Sequence, residues 1–166
     1  MDNIMFCSCG RRATLLKDFR KSMNGCGKIV ATDMSPVAPA LFMADETYLV
    51  PRIDDPSYYE HVLDICEKSK VKAITTLIDP EIEILAKNRE DLLSKGILPL
   101  CPADWTARLC YDKYEMFKYL HDKGVRTILT YNSLEGFKNE LEKGKISFPV
   151  FMKPINGSGS VGIGKV

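Results

Sequence analysis

One alternation limits what this chain can fold into. Five short apolar runs, Ile4–Cys9, Lys28–Thr32, Thr47–Val50, Lys72–Ile78 and Ile97–Leu100, are separated by segments with apolar residues at helical spacing. A strand with one face in water alternates apolar and polar residues, so a continuous run needs cover on both faces. Ala13, Leu16, Phe19, Arg20 and Met23 recur at helix spacing and Gly25 stops the pattern. Asp54-Asp55-Pro56 opens a second helix, with Tyr59, Val62, Leu63 and Cys66 on its apolar face. Asp79-Pro80-Glu81 opens a third, with Ile82, Leu85, Ala86 and Leu93 inward and Gly96 as its stop. Proline suits the first helical turn, and acids suit the positive end of the helix dipole. Apolar strands joined by crossover helices make a parallel sheet covered on both faces. The expected fold is α/β, a Rossmann-like doubly wound domain over residues 1–104.

The pattern changes between residues 102 and 111. A helix is expected over Asp112–Lys123, with Tyr114, Phe117 and Leu120 inward and Gly124 as its end. Arg126–Thr130 reads as a short strand. Ser133–Lys143 reads as a helix, with Ser133 as N-cap and Glu135 in its first turn. Phe148–Lys153 and Val161–Val166 read as strands joined by Pro154–Ser160, a run of small, flexible residues. Residues 111–166 thus form a second, α+β segment. The chain shows no internal repeat and no low-complexity tract.

Composition removes several function classes. The 166 residues carry 23 Lys plus Arg against 22 Asp plus Glu, a net charge of +1. A neutral chain without a basic run does not bind nucleic acid or anionic membrane independently of sequence. With 45% hydrophobic and 27% charged residues, global disorder is excluded. No apolar stretch reaches the roughly 18 residues that span a bilayer. Asp2 stands where a secretory leader needs positive charge, so a cytoplasmic location is expected. The six cysteines are Cys7, Cys9, Cys26, Cys66, Cys101 and Cys110. In that setting they are expected to be reduced, small buried residues. Cys7-Ser8-Cys9 would supply two metal ligands, but neither CxxC spacing nor a His cluster completes a set.

The stretch Gly157-Ser158-Gly159-Ser160-Val161-Gly162 is the most informative chemically. Glycines bring backbone N–H groups close to an anion, and consecutive N–H groups form an anion-binding nest. Lys153, at the end of the preceding strand, adds a point charge suited to phosphate. No Gly-Lys-Ser/Thr triplet opens a helix here, so this is not a Walker A loop. The same residues also fit a plain hairpin loop. At the strand ends of the doubly wound unit, Gly10, Arg11, Arg12, Asp79 and Glu81 are candidate substrate-facing residues. Arginine there can grip a carboxylate with two parallel bonds. Their plainer reading is solvated arginines and a helix start.

Phe148-Pro149-Val150-Phe151-Met152-Lys153-Pro154 followed by Gly157–Gly162 resembles the first nucleotide-binding signature of the ATP-grasp superfamily. Tyr111-Asp112-Lys113 resembles the upstream lysine signature, and the doubly wound unit stands where those proteins carry a pre-ATP-grasp domain. Gly10-Arg11-Arg12, Thr32-Asp33-Met34-Ser35-Pro36 and Ile78-Asp79-Pro80-Glu81 are similar to the carbamoyl-phosphate-synthase-like branch. The resemblance implies an ATP-dependent carboxylate–amine ligase working through an acyl phosphate. It implies that Lys153 contacts the ATP phosphates and Lys113 reaches the nucleotide from its helix. Gly157, Ser158, Gly159, Ser160 and Gly162 would close over the phosphates. ATP and Mg²⁺ are the implied cofactors, and a small-molecule carboxylate and amine the implied substrates.

The superfamily's catalytic core extends well past its glycine loop, to an adenine clamp and acidic Mg²⁺ ligands. Residues 111–166 match only its opening, so the expectation is an N-terminal portion that is inactive alone, with no catalytic or metal-ligating residue of its own. A hairpin over 148–166 without a further strand is marginal, and its open edge invites pairing. A disordered tail or self-association through that edge is expected. Two rivals remain. One is a non-catalytic scaffold or ligand-binding domain. The other is an NAD-binding Rossmann protein, since Asp33 lies 23 residues after Gly10. That second rival lacks the G-x-G-x-x-G turn a pyrophosphate needs.

Overall fold

The computed structural model describes residues 2–166 and divides into two compact units, Met1–Asp104 and Trp105–Val166. The first is a five-stranded sheet of order β3-β2-β1-β4-β5. Its strands are β1 (Asn3–Cys7), β2 (Ile29–Asp33), β3 (Glu46–Leu49), β4 (Val71–Thr76) and β5 (Leu98–Pro99), all paired in parallel. The doubly wound sheet read from the apolar runs is therefore present. β1 and β2 are buried along their whole length, which is why they carry no polar alternation.

The strand period of two sends β1 into two separate cores. Met5 and Cys7 pack with Val30 and Ile74 against α2 (Tyr58–Lys68), α3 (Asp79–Lys87) and α4 (Arg89–Ser94). Ile4 and Phe6 pack on the opposite face with α1 (Ala13–Met23) and a short 3-10 helix, Leu41–Met43. On that side the Phe6 ring meets Phe19 edge-on, with centroids 4.8 Å apart. On α2 the buried residues are Tyr58, Val62, Ile65 and Cys66, while Tyr59 and Leu63 pack at the margin.

The single helix expected after Asp79 is two helices. Asn88 ends α3, where its side-chain amide donates to the Ile84 carbonyl at 2.8 Å. Its own carbonyl then accepts from the Leu92 N–H, starting α4. With Asn88 at φ −96°, ψ 17°, outside the helical well, the next turn is re-aimed. Leu92, and not Leu93, is the buried residue; Leu93 is 40% exposed.

The second unit contains α5 (Asp104–Tyr111), α6 (Lys113–Asp122), α7 (Leu134–Glu142) and an antiparallel pair, β6 (Phe151–Met152) with β7 (Gly164–Lys165). Helix α5 falls partly where the sequence reads as a linker, because its mixed polar composition hides the period. Both helix starts expected here are capped by side chains. The Asp112 carboxylate accepts from the N–H groups of Tyr114 and Glu115 at 2.9 Å, and the Ser133 hydroxyl accepts from Gly136 at 3.1 Å. Tyr114, Phe117 and Leu120 are half-buried, and α6 buries no residue fully.

Arg126–Thr130 is irregular and not a strand. β-branched residues favour a strand only where a neighbour offers a ladder. The two C-terminal strands are shorter than their apolar runs. Reciprocal bonds of 2.9 Å between Val150 and Val166 extend their ladder.

Burial was expected for all six cysteines, but only Cys7, Cys9 and Cys66 are buried. Cys26 lies in the turn after α1 and Cys110 on the solvent side of α5, both exposed. Among the described residues no helix is long and apolar enough to cross a membrane.

Candidate functional site

In a doubly wound sheet, connections leave in opposite directions from two adjacent strands, and the gap beyond their carboxyl ends is the usual ligand crevice. Here those strands are β1 and β4. The turn after β1 is tightly formed. Ser8 and Gly10 both have left-handed backbones, at φ 45° and 50°. Gly10 N–H donates to Asp33 Oδ2 at 2.8 Å, and Ser35 N–H donates to Asp33 Oδ1 at 2.9 Å. Both oxygens of this buried carboxylate thus staple the β1 turn to the chain beyond β2. That is a structural use for the acid which, in a Rossmann enzyme, would be free to bind a ribose.

Glu81 is fully buried at the start of α3. Tyr58 Oη, from α2, donates to Oε1, and Thr76 Oγ1, at the end of β4, donates to Oε2. Thr76 Oγ1 also accepts from the Ile78 N–H at 3.2 Å, so β4, α2 and α3 meet on this carboxyl. Burial pushes Glu81 up, to about 7; the Ser8 hydrogen bond opposes this and the charge of Asp33 adds to it. Arg11, Arg12 and Asp79 are exposed. Gly10 is hydrogen-bonded to Asp33 and Glu81 to Tyr58 and Thr76, both near the carboxyl ends of β1 and β4.

Tyr58, Thr76 and Ser8 were not legible as site residues. An aromatic at a helix start is ordinary core composition, and Thr and Ser are common at strand ends. The Thr32 hydroxyl is buried in the same region, beside the Cys7 thiol. Burial pushes the Cys9 thiol up to about 11 and Cys66 to about 12, and raises Cys7 as well. These sulfurs are protonated at neutral pH and are neither nucleophiles nor ready metal ligands.

The second unit holds a cavity of about 120 Å³ lined by Lys113, Lys153, Asn156, Gly157, Ser158 and Ser160, among others. Lys113 comes from the first turn of α6 and Lys153 from the residue after β6. Two lysines distant in the chain and the glycine loop thus share one small cavity. Gly159 and Gly162 flank it with positive φ of 65° and 72°. Gly162 admits no side chain without a shift, since a Cβ there would stand 2.9 Å from Pro154 Cγ. Lys153 Nζ lies 6.0 Å from the Phe151 ring centroid, at the outer limit of a cation–π contact. Drug-sized ligands occupy pockets of roughly 300–1,000 Å³. The cavity suits a phosphate group and not a whole nucleotide.

Residues 4–100 match the family described as PylC-like, N-terminal domain. The chain belongs to this family. No curated protein matches the sequence. Among solved structures, the PylC-like chain is similar to the L-amino acid ligase of Bacillus licheniformis, at 20% identity and TM-score 0.68 over 100% of this chain and 38% of that one. It is similar to N5-carboxyaminoimidazole synthetase from Staphylococcus aureus, complexed with ADP, at 18% and 0.67 over 95% and 39%. The biotin carboxylase domain of Hydrogenobacter thermophilus 2-oxoglutarate carboxylase, in complex with MgADP, ADP and bicarbonate, gives 21% and 0.68 over 99% and 37%. At these identities the likeness establishes the fold. That fold is a five-stranded parallel sheet flanked by helices. The PylC-like chain spans 37–39% of the length of these three proteins.

Proposed function

We propose that this chain is the N-terminal part of an ATP-dependent carboxylate–amine ligase of the carbamoyl-phosphate-synthase-like ATP-grasp type. The observation that carries the reading is the convergence of Lys113, Lys153 and the Gly157–Ser160 backbone on one phosphate-sized cavity. ATP, when bound, supplies the phosphoryl group that activates a carboxylate as an acyl phosphate. Lys153 offers the phosphates a point charge, and the loop offers backbone N–H groups and two serine hydroxyls. Such a site works by positioning and charge neutralisation.

The crevice between β1 and β4 is the place for the small-molecule substrate. The Arg11 and Arg12 side chains grip its anionic group, while Gly10, Asp79 and the Glu81 cluster shape the wall.

Mg²⁺ does not fit the residues present. Among the described residues no group of three or more His, Cys, Asp or Glu is placed to hold a metal.

The test is calorimetric titration of the chain with ADP and with tripolyphosphate, for wild type and Lys153→Ala. Removing one charge-assisted contact of about 1.5–3 kcal/mol weakens binding roughly ten- to hundredfold. Equal affinity in the variant, or no binding by wild type, refutes the assignment.

A further inference from the structure

Lys113 is engaged within the protein. Its Nζ donates to the carbonyl oxygens of Ile155 at 3.2 Å and Gly157 at 2.9 Å. Its backbone N–H donates to the same Ile155 oxygen at 3.1 Å. Asn156 Nδ2 donates to the Tyr111 carbonyl at 3.3 Å. Every residue of Ile155–Gly157 is therefore tied to the junction of α5 and α6.

That junction is a firm anchor. Tyr111 ends α5, where carbonyls lack helical partners. Asp112 caps α6 through two backbone N–H groups, and Lys113 is its first residue. The loop beyond the ties is looser. Its own bond, from Val161 N–H to Ser158 O, is long at 3.4 Å, and Ser158, Gly159 and Ser160 are all exposed. The base of the glycine loop is hydrogen-bonded to the α5–α6 junction, and its tip carries one long bond of its own.

We propose that Lys113 and Asn156 are positioning residues that latch the base of the glycine loop, and that an incoming phosphate draws the Lys113 ammonium off the Gly157 carbonyl. The Asn156 tie stays in place while the tip closes. The exchange rests on the reading of this cavity as a phosphate site. It is favourable because the phosphate adds a charge–charge attraction that a neutral carbonyl does not offer the ammonium. An ammonium on a flexible stem with three rotatable donors can make that swing.

The experiment uses nuclear spin relaxation on the full chain, with tripolyphosphate as the probe. Without probe, Lys113→Met and Asn156→Ala each lower the backbone order parameters of 155–157 from rigid values, about 0.85, to below about 0.6. Amide exchange at residue 113 accelerates about fivefold in Asn156→Ala, as expected for one hydrogen bond weakened nearby. The melting temperature and the α6 amides separate this from unfolding. With probe, wild type loses order at Gly157 while Asn156 keeps its order. Order parameters in both variants equal to wild type overturn the latch. A loosened loop in the variants with no wild-type response to probe keeps the latch and overturns the phosphate reading and the swing together. Probe binding with Gly157 as rigid as before overturns the swing alone.

Discussion

Glu81→Gln removes the charge on which three elements converge, and its effect can be worked out from the structure. Burial raises the Glu81 carboxyl from 4.5 to about 7. Between those values the folded protein holds a proton that the unfolded chain has released. The contribution of this group to stability is fully present below pH 4.5 and is lost as pH rises through about 7. At 1.36 kcal/mol per pH unit, the gap from 4.5 to about 7 amounts to about 3 kcal/mol. That figure is a ceiling, because the Tyr58 and Thr76 hydroxyls donate to the carboxyl oxygens and favour the ionised form. The glutamine amide of the variant keeps an acceptor for one hydroxyl and never ionises. Urea unfolding of both proteins between pH 5 and pH 8, as a series, isolates the effect, since other titrating groups are common to both and cancel. The stability difference should swing toward the variant by up to about 3 kcal/mol across that window. Parallel pH profiles for the two proteins refute the reasoning.

Asp33→Ala strands the Gly10 and Ser35 N–H groups and should cost about 3 kcal/mol in the same urea assay, and, by removing a charge that raises Glu81, should narrow the Glu81 pH swing. Asp112→Ala removes both cap bonds of α6 and should cost about 1 kcal/mol, read as faster amide exchange over Lys113–Met116.

The sheet was legible because burial on both faces writes itself as unbroken apolar runs. Helix starts at Asp112 and Ser133 were legible because a cap is a local event, decided within three residues. The second unit's details were not. Arg126–Thr130 has strand-like composition but no neighbour to pair with, and α5 has helical geometry without a clean apolar stripe. The same division holds at the site. Lys113, Lys153 and the glycine loop announce themselves by residue type. Tyr58, Thr76 and Asn156 do their work through partners 23, 5 and 45 positions away, and their residue types alone carry no trace of that.

The break at Asn88 has a mechanical consequence. A straight helix from Asp79 to Ser94 would couple the carboxyl at one end to every packing adjustment at the other. The joint lets α4 settle against the core through Leu92 while α3 holds Glu81 still. It works as an expansion joint.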